Sequence, residues 1–165
     1  MKYFTLLLLL IATQVSFSQN YFYLEEVKLK EASDYIANEQ NAIKAIDYMA
    51  STAIDDKNYD RKACTRFILR YAEGCHGVTV TLDGYVSKLY KKNSDLLIMF
   101  MGFWVKSYIN DKKGTQADQE LYAVTGIYTY VKDLSGHGIK SNDAIKSLIE
   151  AGDNGKIAEW LKTHK

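Results

Sequence analysis

Proline is absent from the 165 residues, cysteine occurs twice, and neither sign of charge prevails, with 21 Lys and Arg against 20 Asp and Glu. Two cysteines cannot build a disulfide-dense scaffold. A net charge of +1 excludes a strongly basic nucleic-acid binder and a strongly acidic tail protein. No apolar run approaches the about 20 residues that a membrane-spanning helix needs. What the chain does have is the make-up of a globular protein: 47% apolar, 25% charged, and thirteen Tyr to fill a core. The length suits one ordinary domain.

The N-terminal residues read as an export signal. Lys2 is a short positive region, Phe4 to Ala12 is an apolar run, and Ser16-Phe17-Ser18 places small residues before Gln19. Cleavage is expected after Ser18, so that residues 1–18 are a signal peptide and 19–165 a single helical domain. Lys2 is the only charge lost, leaving twenty cations against twenty acids and a mature charge of zero. The first cysteine is Cys64, which excludes a lipid anchor on an N-terminal cysteine. The expectation is a protein in the periplasm or outside the cell, with no membrane anchor in the mature chain and no affinity for nucleic acid.

Ten glycines sit mostly between periodic segments, and with no proline this favours helices joined by short turns. Apolar spacing predicts helices over about 21–38 and 41–54, joined as one bent helix or a hairpin. A third starts at an Asp60 cap and stops at Gly74. Val78 to Leu82 alternates with period two and reads as an extended connector. A short helix follows over 84–91. Leu96 to Val105 has no polar side chain, so the helix over about 94–110 is the buried centre of the fold. Thr115 and Asp118 form a capping-box pattern for the next helix. Ser135 to Gly138 is a turn, Ser141 caps a helix closed by Gly152, and Asp153 caps the last one. The expected fold is all-α, an irregular bundle of six to eight helices.

One resemblance follows from this order of motifs. Ser16-Phe17-Ser18-Gln19 precedes Phe67-Ile68-Leu69-Arg70-Tyr71, then Val78-Thr79-Val80, Asn93-Ser94-Asp95-Leu96-Leu97 and Met99-Phe100-Met101-Gly102. Leu148-Ile149-Glu150-Ala151 and the stretch Gly155 to Leu161 close the set. In this the chain resembles a group of small exported helical proteins of Bacteroidota that have no assigned function. The matching positions are apolar packing positions. They imply the fold and the compartment, and no catalytic residue.

Chemistry is sparse. An exported pair of cysteines suggests a Cys64–Cys75 disulfide, but about ten helical residues between them span ~15 Å, and a disulfide needs Cα atoms within about 7 Å. Either the helix breaks or the thiols stay apart. Cys75 and His76, flanked by Gly74 and Gly77, are the one local cluster that resembles a site. Adjacent residues chelate a metal poorly, and a thiol enzyme here would need His76 itself or His137 as a partner. Nucleophile-elbow, phosphate-loop, dinucleotide and zinc-protease motifs are missing, and no cofactor is expected. Glu25/Glu26 and Asp55/Asp56 are sequence neighbours that diverge by about 100° on a helix. About three quarters of the tyrosines are expected in the core and its rim.

Three functions are compatible with these residues. The first is a non-enzymatic exported protein acting by protein–protein binding, as an immunity protein, an inhibitor or an envelope assembly factor. The second is a carrier of a small apolar ligand, with a cavity beside the central helix. The third is an enzyme using Cys75 and His76 or His137.

Overall fold

The computed structural model describes residues 20–165; the expected signal peptide (1–18) and cleavage after Ser18 lie outside them. A 3-10 turn, Phe22–Glu25, is followed by helices α1 (Ala32–Ala37), α2 (Glu39–Ser51), α3 (Tyr59–Gly74), α4 (Gly84–Tyr90) and α5 (Ser94–Asn110). Then come α6 (Gln116–Val131), the single turn α7 (Leu134–His137), α8 (Asp143–Asp153) and α9 (Ile157–His164). The described residues contain no strand. The fold is all-α, with eight helices longer than one turn among the described residues.

The apolar run Leu96 to Val105 lies within α5, whose central position follows from having no polar face over that run. α5 packs against α2, α3, α4 and α6. Met99, Phe100, Phe103, Trp104 and Val105 lie in the core. Gly102 lets α5 approach closely, since a Cβ there would stand 3.2 Å from Ile46 of α2. Trp104 satisfies its indole N–H on Gln119 of α6 at 2.8 Å. Residues 78–83 form an extended connector. Nine of the twelve tyrosines from Tyr21 onward are buried or half-buried, the share expected of core and rim positions.

Several boundaries differ from the sequence reading, for physical reasons. Residues 27–30 are not helical. Val27 and Leu29 are half-buried while Lys28 and Lys30 are exposed, the alternation of an extended strap. Arg70 of α3 donates to the carbonyls of Leu24 (2.6 Å) and Val27 (3.1 Å), taking the place of helical hydrogen bonds. The cap of α3 is Asn58, which accepts from the Arg61 N–H at 2.9 Å. Asp60 instead accepts from the N–H of Tyr21 at 2.7 Å, tying down the start of the strap. Asn142, not Ser141, caps α8. That helix runs past Gly152, whose missing Cβ leaves room for the Tyr128 ring. It ends at Asp153 and is closed by Gly155 (φ 69°), where Gly155 and Lys156 donate back to Gly152 and Ala151, the pair of hydrogen bonds that a left-handed glycine permits. Lys156, not Asp153, precedes α9.

Candidate binding cleft

α2 ends without a glycine, yet its last carbonyls must find donors. Arg61, reaching across from α3, supplies them. Its Nη1 donates to the carbonyls of Met49 (2.8 Å) and Thr52 (2.9 Å) and to Thr52 Oγ1 (3.0 Å). Its Nη2 donates to Asp95 Oδ1 on α5 (3.1 Å) and to the Tyr130 hydroxyl on α6 (3.0 Å). One guanidinium thereby joins four helices and places a cation at a helix C-terminus, where the dipole favours it. Arg61 is 3% exposed. Burial raises the Tyr130 phenol above its ordinary value, and the facing Arg61 only partly offsets this, so Tyr130 is a neutral wall.

Tyr130 separates this node from a cleft of about 440 Å³ beside the central helix. Phe103 of α5 is its floor, and Ala50 of α2 lines one side. Tyr122, Thr125, Gly126, Thr129 and Tyr130 of α6 line the other, together with His137 of α7. Gly126 is needed for this shape: a Cβ there would lie 2.6 Å from the Phe103 ring. One turn along from Phe103 and Ala50, Lys106 and Asp47 form an ion pair between α5 and α2.

His137 is half-buried, and its ring lies 4.2 Å from that of Tyr130. Its Nδ1 stands 3.0 Å from the Tyr130 carbonyl and 3.1 Å from the Asp133 carbonyl. The N–H of Ile54 donates to the His137 carbonyl at 3.2 Å, fastening α7 to the loop after α2. The expected turn over 135–138 thus contains one helical turn, and Gly138 (φ 70°) ends it.

The other residues singled out in the sequence lie elsewhere. Cys75 caps the end of α3, buried in a separate pocket of about 130 Å³ with Tyr35, Tyr71 and Tyr108. His76, in the turn beyond it, is exposed and lines the same pocket, as does Glu39 of α2. Both thiols are free and buried, and both stand on the unbroken α3 frame, eleven positions apart, about 16 Å of helix rise. Desolvation pushes the Cys64 thiol up to about 12, which makes it a small core hydrophobe. The structure therefore does not bring Cys75 and His137 into one pocket. The described residues hold no group of three His, Cys, Asp or Glu side chains fit for a metal. Glu25 pairs with Arg66, and Asp55 accepts from the N–H of Lys57 in a loop. No described helix is long and apolar enough to cross a membrane.

Comparison with family models, with curated proteins and with solved structures finds no match to this chain, so the functional reading is carried by the chemistry of the cleft.

Proposed function

We propose that this chain is an exported, non-enzymatic binding protein whose cleft between α2 and α6 takes up a small apolar ligand. The observation that carries this reading is the cleft itself. About 440 Å³ falls within the range of small-molecule sites, and the floor and most of the walls are ring, methyl and backbone surface. Its rigid supports are the central helix below and the Arg61 node behind Tyr130, so the wall positions are held by the core. Export rests on the Lys2, Phe4 to Ala12 and Ser16-Phe17-Ser18 pattern. The non-enzymatic reading rests on the burial of both thiols, Cys75 being buried although it shares its pocket with His76 and Glu39.

Ethylbenzene is a suitable first probe. In an amide-resolved NMR titration it should shift Ala50, Phe103, Gly126 and Thr129 together. Ala50→Phe, which fills the cleft from α2, should abolish those shifts while leaving the far-UV circular dichroism intact. Shifts scattered over the surface, or binding unaffected by Ala50→Phe, would refute the reading.

Protein–protein binding is the second reading, and one observation favours it. Phe22 and Tyr23 on the 3-10 turn are 57% and 45% exposed, large side chains that the core does not use. A partner of defined stoichiometry in native mass spectra of envelope fractions, lost with Phe22→Ser and Tyr23→Ser together, would support it. A partner retained by that double variant would refute this surface.

A further inference from the structure

The hydrogen-bonding inventory of the cleft is one-sided at its His137 end. Both neighbours of His137 Nδ1 are carbonyl oxygens, those of Tyr130 and Asp133, which only accept. Nδ1 must therefore carry the proton, and in the neutral ring Nε2 is the lone-pair nitrogen. Nε2 has no hydrogen-bond partner among the described residues, and it is not buried from solvent. The two threonines of the α6 wall have spent their hydroxyl protons on their own helix. Thr125 Oγ1 donates to the Leu121 carbonyl at 2.7 Å and Thr129 Oγ1 to the Thr125 carbonyl at 3.1 Å. What these hydroxyls retain is acceptor capacity. The Tyr130 hydroxyl is turned to Arg61, from which it accepts. Tyr122, the remaining hydroxyl of the lining, is exposed at the rim, two turns of α6 away from Tyr130.

We infer that the ligand is a compact ring-bearing molecule with a neutral hydrogen-bond donor at one end, of the phenol type, whose donor meets His137 Nε2. This rests on the reading of the cleft as a small-molecule site. The apolar body lies along Phe103, Ala50 and the bare backbone at Gly126, and the donor finds the acceptors at the far end. An ether, which can only accept, faces unpaired lone pairs there and loses that bond. An anionic group meets the lone pair of His137 Nε2 and two threonine hydroxyls whose protons are already given to their own helix. Specificity of this kind comes from leaving a polar group of the wrong sense unpaired.

The test compares 4-ethylphenol, 4-ethylanisole and ethylbenzene against the whole mature chain by NMR titration. The phenol should bind about tenfold more tightly than the anisole, the worth of one hydrogen bond. Its addition should move the His137 Nε2 nitrogen resonance while the Nδ1–H tautomer is already present in the free protein. His137→Gln, whose amide oxygen reaches the Nε2 position, should keep the preference for the phenol. His137→Asn, which retains a donor to the Tyr130 carbonyl but has no group at the Nε2 position, should lose it. Each preference is a ratio within one variant, so a change in stability does not imitate it. Equal affinity for phenol and anisole, or a free-protein ring protonated on Nε2 instead, overturns the donor inference and leaves the cleft reading standing. No binding of any of the three overturns the cleft reading itself.

Discussion

Replacing Arg61 by Met is the most direct test of how the fold holds its cleft in place. Met keeps the length and apolar stem of the side chain but removes five donations. The Met49 and Thr52 carbonyls cannot be substituted away, and each buried acceptor left unpaired costs about 1–3 kcal/mol. Asp95 is less costly, because its side chain is 29% exposed and can turn to water. The loss should therefore fall at about 2–4 kcal/mol, mostly from the carbonyls left without a donor. For a domain of this size that corresponds to a fall of roughly 10 °C in Tm. Urea denaturation followed by far-UV circular dichroism measures it, and an unchanged m-value would show that the comparison is like for like. Asp95→Asn and Tyr130→Phe should each cost about 1 kcal/mol. Apolar replacement of an entire buried ion pair is often neutral. Here Arg61→Met with Asp95→Leu should stay destabilised, because the two carbonyls remain. If Arg61→Met is as stable as the parent, the end of α2 has another donor and the assignment of Arg61 as its cap is wrong.

Three further outcomes follow from the same geometry. In the native protein at pH 8, Cys64 should resist iodoacetamide, because burial holds its thiol near 12, and it should react once the chain is unfolded; rapid native labelling of Cys64 counts against that burial. Asp118 is held below the usual carboxylate range, first by the Thr115 hydroxyl and then by the Thr115 N–H. Because its folded value is depressed, the stability it contributes is present above about pH 4 and is lost as pH falls through the folded value. Carboxyl NMR should show that depression and its disappearance in Thr115→Ala. Glu120 is 4% exposed and is held by the Tyr85 hydroxyl at 2.8 Å and by an ion pair with Lys165. Lys165→Ala should lower the unfolding free energy by up to about 1 kcal/mol, read as a lower urea midpoint at an unchanged m-value, since the lysine is partly in water. High salt should shrink the difference, and equal midpoints at low salt would show that the pair does not contribute.

The central helix was legible because its signal is local and strong. Leu96 to Val105 offers no polar face, so most of it is buried and only Leu97, Ile98 and Met101 are half-buried on the outer side. The Thr115–Asp118 capping box is equally local, and both of its hydrogen bonds are present. The strap over 27–30 was misread because Leu24 and Val27 fit a helical spacing when their partners are unknown. Arg70, more than forty residues away, decides otherwise by taking their carbonyls. Gly126 inside a helical stretch was the one sequence sign of a close approach that bears on the cleft.

Composition and periodicity by themselves determined the helical class, the identity of the buried centre and the lack of a local catalytic motif. These depend on neighbours within a turn or two, where spacing dictates which side chains share a face. Tertiary structure alone decided that Arg61 is a buried helix cap, that Phe103 and Tyr130 wall a cleft, and that His137 lines it with Nδ1 held by two carbonyls. Each depends on groups far apart in the chain meeting at hydrogen-bond or van der Waals distance, and nothing in the order of residues states which distant carbonyl a guanidinium will find.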